Sequence, residues 1–238
     1  MRGSFFAKRE DNMSEMGYKE RFVELLVRSG VLLFGDFTTK SGRQSPYFVN
    51  TGLFRTGAHA DLLSEFYAQA LVERVEGKFD ALFGPAYKGI PLCTLTAAAL
   101  WRLFKVDVGY CFNRKEAKDH GEGGVIVGWQ PRDGERIVLI EDVVTAGTAV
   151  REVYPILKAA ADVEIKDMII SVNRLEKGTG GVTAVREIKE NYGITVHSIV
   201  TVVDILEYLH NRPVDGKVWI DNAMRGKMEA YMDRYCVL

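Results

Sequence analysis

The chain has 238 residues, with 31 Lys and Arg against 32 Asp and Glu, a formal net charge of −1. A near-neutral chain is not built to bind nucleic acid or an anionic membrane by bulk electrostatics. A hydrophobic share of 47% and a charged share of 26% exclude disordered and fibrous classes. The length suits one large domain, or one with a small accessory lobe, and cannot also hold a complete (β/α)8 barrel, which alone needs roughly 250 residues. Cys93, Cys111 and Cys236 are widely spaced and fit no zinc or disulfide pattern, so they read as buried free thiols in a reducing compartment. The uncharged stretch 89–101 is well short of the ~20 residues of a membrane span. Residues 1–15 lack the apolar run of a signal peptide and read as a leader-like segment, so the expected location is the cytoplasm.

In chain order, residues 18–29 carry Phe22, Leu25 and Leu26 on one face and are followed by Gly30, which predicts a helix and its end. Residues 37–50 hold two β-prone runs around Lys40-Ser41-Gly42-Arg43, the pattern of a hairpin. Residues 58–75 return to a helical period. A βα rhythm then begins, with strands expected at 80–84, 106–112, 136–140, 168–172 and 194–203. Helices are expected at 89–103, from about Thr148, and around Val182, Val185 and Ile188. Pro155 should kink the helix after Thr148 or mark its limit. Strands alternating with helices predict an α/β fold whose mainly parallel sheet is covered on both faces. Ligands of such sheets bind beyond the carboxyl ends of the strands.

The most informative stretch is 136–150. The apolar run Ile137-Val138-Leu139-Ile140 ends in the carboxylates Glu141 and Asp142, and Val143-Val144-Thr145-Ala146-Gly147 leads into the next helix at Thr148. Loop amides and a helix N-terminus form an anion cradle, with the Thr145 and Thr148 hydroxyls as further donors. Small residues at Ala146 and Gly147 allow the backbone to approach closely. The two acids would repel a phosphate, so their place beside the cradle suits the hydroxyls of a ribose. Together these residues describe a ribose 5-phosphate site; a solvated strand–turn–helix is the alternative.

That stretch resembles the phosphoribosyl pyrophosphate motif of the type I phosphoribosyltransferases. Gly84-Pro85-Ala86-Tyr87-Lys88-Gly89 and the run from Tyr110 to Gly124 resemble the orotate phosphoribosyltransferase family in particular, and Phe37 to Arg43 with Pro46-Tyr47-Phe48 resemble its N-terminal hood. The resemblance spans about residues 18–209. It implies a single phosphoribosyltransferase domain over 16–238, with a hood largely from 16–57, a core over about 58–210 and an extension at 211–238.

The resemblance also implies an activity: transfer of the phosphoribosyl group from phosphoribosyl pyrophosphate to orotate, in the synthesis of pyrimidine nucleotides. It implies that Lys40, Tyr87, Lys88, Arg114, Lys115, Lys118 and His120 bind the pyrophosphate end. Glu141 and Asp142 would hold the ribose, and Val143, Val144, Thr145, Ala146, Gly147, Thr148 and Ala149 the 5-phosphate. Phe48, Val49, Thr145 and Arg174 would contact orotate, with Arg174 suited to its carboxylate because a guanidinium binds carboxylates in bidentate fashion. Val49 stands where the family often has Phe, and Glu141-Asp142 where Asp-Asp is common.

Lys115, Asp142 and Glu141 are the expected catalytic residues. The charged, Gly-flanked stretch 114–124 has the composition of a mobile lid, which in the family reaches the other subunit of a homodimer. Mg²⁺ is expected as cofactor, held by phosphate and water oxygens rather than by a protein cage, so no protein metal ligands are expected. Neither nucleic acid nor a membrane is an expected partner. Transfer to a purine, or metabolite sensing without catalysis, are the competing readings.

Overall fold

A computed structural model of the chain describes residues 16–39, 42–118, 124–178 and 181–237, the side chains of 116–118 excepted. The described residues divide into two compact units, one of residues 16–53 with 203–230 and one of residues 54–202 with 231–237.

The first unit opens with helix α1 (Tyr18–Arg28), which buries Phe22 and Leu26 completely. A hairpin follows, β1 (Leu32–Thr38) with β2 (Gln44–Val49), pairing Leu32 with Val49 and Thr38 with Gln44. Its first strand starts at Leu32 rather than at Phe37. An irregularity in the register between Phe34 and Phe37 interrupts the alternation by which a strand is recognised.

The second unit carries the βα rhythm: α2 (Gly57–Arg74), β3 (Ala81–Gly84), α3 (Gly89–Phe104), β4 (Gly109–Lys118), β5 (Gly124–Gly128), β6 (Arg136–Ile140), α4 (Thr148–Ala160), β7 (Glu164–Asn173), α5 (Ala184–Tyr192) and β8 (Thr195–Thr201). The six strands form one sheet in the order β5-β4-β3-β6-β7-β8, parallel except for β5 against β4. Both faces are covered. Ile137 and Leu139 of β6 pack with Val150, Val153 and Leu157 of α4 and Ile188 of α5. Val138 and Ile140, equally buried, point to the other side. Helices α2 and α3 provide the cover there, α2 against β7 and β8, and α3 against β3 and β4. Burial on both faces is why β6 reads as a continuous apolar run.

Three expectations need correction. Pro155 lies inside α4, which continues to Ala160, so it does not mark the helix limit; the backbone tolerates the loss of one donor there. Strand β4 is displaced from 106–112 and runs on through the charged residues Arg114 to Lys118, because β5 pairs with it antiparallel, Asn113 opposite Ile126 and Lys118 opposite Gly124. The last strand stops at Thr201, and α6 (Val202–Leu209) begins at once; the apolar, β-branched Val202 and Val203 start a helix.

Beyond α6 lie β9 (Pro213–Val214), β10 (Lys217–Val218) and α7 (Asn222–Tyr235). Within the first unit α6 and the segment after it are tied to α1 by polar contacts. Lys19 pairs with Asp204 at 2.8 Å, Tyr208 Oη donates to Glu24 Oε1 at 2.9 Å, and Arg28 pairs with Asp215 at 3.1 Å. Residues 203–230 therefore complete the unit that the N-terminal helix and hairpin begin.

Candidate active site

The carboxyl ends of β3, β4, β6 and β7 are neighbours along the sheet edge, and each hands the chain to a segment carrying expected site residues. At the end of β3 the chain turns so tightly into α3 that a Cβ on Gly84 would lie 2.1 Å from the carbonyl oxygen of Gly89, and one on Gly89 2.7 Å from the carbonyl carbon of Gly84. Only glycine fits at either end of this turn. Inside it the Ala86–Tyr87 peptide is cis, and Ala86 N donates to Asn113 Oδ1 at 2.9 Å. The turn presents Tyr87 and Lys88, both exposed.

At the end of β6, Glu141 and Asp142 are 9% and 7% exposed. Their backbone is fixed from both sides. Tyr67 Oη donates to Glu141 O at 2.7 Å, Glu141 N donates to Ile169 O, and Ser171 Oγ donates to Asp142 O at 2.6 Å. Side chains and amides interlock as well, since Asp142 N donates to Glu141 Oε1 and Val143 N to Asp142 Oδ1. The other Asp142 oxygen meets Lys88 Nζ at 2.9 Å. Burial, and secondarily the charge of Asp142, push the Glu141 carboxyl up to about 8. Burial also raises the Tyr67 phenol well above its ordinary value, with the charges of Asp142 and Glu141 adding to the effect.

The segment 143–147 then leads into α4 through Gly147, which has φ 64° and makes no side-chain cap. Thr145, Ala146 and Thr148 are exposed, and Val143, Val144, Gly147 and Ala149 half-buried. An uncapped helix N-terminus beneath exposed loop residues is an open anion cradle.

On β4, Arg114 is half-buried, and its Nε has no hydrogen-bond partner among the described residues. The next residue reaches the β3 turn, with Lys115 Nζ 5.4 Å from the centre of the Tyr87 ring, a cation–π distance. Past β7, Arg174 Nη2 pairs with Glu176 Oε1 at 2.6 Å. The structure thus brings together Tyr87 with Lys115 and Lys88 with Asp142, and gives Arg174 a carboxylate partner of its own. Phe48 and Val49 lie on β2 of the other unit, where Phe48 stacks on Phe37 with ring centres 5.6 Å apart. Lys40 and His120, and the side chain of Lys118, lie outside the described residues.

A match to the phosphoribosyl transferase domain family covers residues 54–180. An orotate phosphoribosyltransferase of Lachnoclostridium phytofermentans is 49% identical over 220 residues, 92% of this chain and 98% of that protein. The chain belongs to the orotate phosphoribosyltransferase family. These are enzymes of pyrimidine biosynthesis. The orotate phosphoribosyltransferase of Cronobacter sakazakii is 51% identical over 82% of this chain and 90% of its own. The crystal structure of the Francisella tularensis orotate phosphoribosyltransferase superposes with a TM-score of 0.79 at 37% identity, covering 91% of this chain and all of that one.

For this enzyme, sequence reading missed the residues behind the site: Tyr67, Asn113 and Ser171, whose side chains hold its backbone. Tyr67 carries no local signal, being one apolar position in the periodic pattern of α2. Among the described residues no helix is long and apolar enough to cross a membrane.

Proposed function

We propose that this chain transfers the 5-phosphoribosyl group of phosphoribosyl pyrophosphate to orotate, releasing pyrophosphate and orotidine 5′-monophosphate on the route to UMP. The observation that carries the reading is the contact of Lys88 with Asp142 at 2.9 Å, made at the ends of two neighbouring strands beside the uncapped N-terminus of α4.

The reaction exchanges bonds at C1 of the ribose through a transition state with oxocarbenium character, so no protein nucleophile is needed. The protein's task is to align two anions and to stabilise charge as it moves. Amides of 143–149 and the Thr145 and Thr148 hydroxyls receive the 5-phosphate. Glu141 and Asp142 hold the ribose hydroxyls, and the charge of Asp142 favours the positive charge developing on the sugar. Lys88 is held by Asp142 until pyrophosphate offers its ammonium a stronger anion, which frees the Asp142 oxygen for the ribose. Tyr87, Arg114 and Lys115 stand at the same edge for the departing pyrophosphate, with Lys40, Lys118 and His120 assigned to it by family resemblance. Phe48, Val49, Thr145 and Arg174 receive orotate.

Mg²⁺ is the proposed cofactor. Among the described residues no three metal-ligating side chains cluster. The residues present therefore fit an ion that would arrive with the pyrophosphate, held by phosphate and water oxygens rather than by protein ligands. When bound, the ion neutralises charge on the leaving group. We further propose a cytoplasmic homodimer in which the stretch 114–124 serves the partner's site through Lys115, with neither nucleic acid nor a membrane as a partner. The test is loss of orotate absorbance with phosphoribosyl pyrophosphate and Mg²⁺, beside adenine, hypoxanthine and uracil. Orotate alone should be consumed; consumption of a purine and not orotate would sink the reading.

A further inference from the structure

The last residues of the chain are laid along the loop that carries Arg174. Val237 N donates to Leu175 O at 2.9 Å and Lys177 N to Tyr235 O at 2.8 Å, an antiparallel bridge that sets Glu176 opposite Cys236. Cys236 Sγ donates to Arg174 O at 3.4 Å. Between Arg174 and Glu176, Leu175 takes the left-handed φ of 57°, and its N–H donates to Asn173 Oδ1 at 2.9 Å. This main-chain clasp by itself accounts for the course of the loop.

The side chains add something the clasp does not require. Tyr231 is 5% exposed, and its hydroxyl donates at 2.7 Å to Glu176 Oε1, the same oxygen that meets Arg174 Nη2 at 2.6 Å. The phenol thus fixes the carboxylate, and the carboxylate fixes one edge of the guanidinium. An arginine held this way has already lost much of the rotamer freedom that it would otherwise surrender to a ligand. The planar fork of a guanidinium presents paired donors to a carboxylate, so its orientation decides how well that ligand is met.

We infer that Tyr231 and Glu176 are positioning residues for Arg174, so that the C-terminal end of the chain sets the affinity of the base site for a carboxylate-bearing pyrimidine. The inference rests on the proposed contact of Arg174 with orotate. Neither Tyr231 nor Glu176 touches substrate in this scheme; they act through the guanidinium alone.

The test compares steady-state constants for Tyr231→Phe, Glu176→Ala, Glu176→Gln and Arg174→Ala. Tyr231→Phe removes one hydroxyl from a charge-assisted pair and should raise KM for orotate about three- to tenfold. KM for phosphoribosyl pyrophosphate and kcat should stay within about twofold. In a Glu176→Ala background Tyr231→Phe should have no further effect, whereas Glu176→Gln, which keeps an acceptor oxygen, should retain the dependence on Tyr231. If Arg174→Ala weakens orotate and Tyr231→Phe does not, the positioning role is overturned and the base site stands. Equal shifts for both substrates, or an effect of Tyr231→Phe that persists beside Glu176→Ala, would reduce Tyr231 to a packing residue and overturn the role as well. An orotate KM unmoved by Arg174→Ala would remove the base-site reading first, and the positioning role with it.

Discussion

Both ends of β6–β7 carry a buried aspartate with each carboxylate oxygen engaged, yet the two settings differ. At the amino edge, Asp167 sits between Arg136 Nη2 at 2.5 Å and His197 Nε2 at 2.8 Å, partners only 18% and 19% exposed. Arg136 is anchored further, its backbone N donating to Asp80 and its Nη1 to Glu76 O. At the carboxyl edge, Asp142 accepts from the Val143 amide and from a Lys88 side chain that is 61% exposed. The half-solvated ammonium is rehydrated as it leaves, and Asp142 keeps the Val143 amide, so this contact can be exchanged for a ligand. A largely buried pair cannot be opened without stranding a charge. The first arrangement holds the sheet together; the second is poised to exchange its cation for a ligand.

The comparison breaks most visibly at the working edge. Asp142→Asn should lower kcat/KM by roughly ten- to over a hundredfold, the value of a charged hydrogen bond lost in the transition state, about 1.5–3 kcal/mol. Circular dichroism should show the fold retained. An unchanged kcat/KM in the folded variant would show that the carboxylate only pairs with Lys88.

A related experiment asks whether that edge is complete in one chain. With Lys115 acting in the partner's site and Asp142 in its own, homodimers of Lys115→Ala and of Asp142→Asn should each be nearly inactive. Random re-pairing of equal amounts gives about half heterodimers, each with one intact site of two, so activity should recover to about a quarter of the parent. Verified subunit exchange without recovery would assign Lys115 to its own chain, where it already lies over Tyr87.

At the amino edge the expected loss is of stability and not of rate. Asp167→Asn should cost about 1.5–3 kcal/mol in urea unfolding, by weakening charge-assisted bonds to Arg136 and His197, while kcat/KM stays within about twofold. A variant as stable as the parent would show that the network contributes nothing net.

The two edges also differ in how far the sequence discloses them. The carboxyl edge is legible because its key residues are contiguous: an apolar run, two acids, a small-residue loop and a helix lie within 136–150. The amino edge is not. Arg136, Asp167 and His197 come together only through the parallel register of β6, β7 and β8, and no local pattern marks any of them. The same holds for Tyr231 and Glu176, 55 residues apart and joined by a hydrogen bond that only the fold creates. Strand β5 escaped because five Gly-bounded residues make a weak signal, and the charged half of β4 because its partner is that strand. The roles of Lys40, Lys118 and His120 were legible only by resemblance, since isolated cations in loops look like solvated surface.

A last effect, read in its pH dependence, concerns Glu141, the other acid of the working edge. Burial holds its carboxyl up to about 8, against 4.5 for an ordinary glutamate. Below about 4.5 both folded and unfolded chains keep the proton, and the group is neutral to stability. Between about 4.5 and 8 the unfolded chain has released it and the folded chain has not, so the folded state binds more protons and stability falls as pH rises. Above about 8 both have lost it and the slope vanishes. Glu141→Gln removes this titration while leaving the others in place. The unfolding free energy of the parent minus that of the variant should therefore decline from pH 5 to pH 8 and level off beyond. Urea unfolding of the ligand-free protein at pH 5, 6.5, 8 and 9 would measure it. A difference that stays level over this range would mean that Glu141 is ionised in the folded protein, held so by Lys88, and the two acids of the working edge would then be alike.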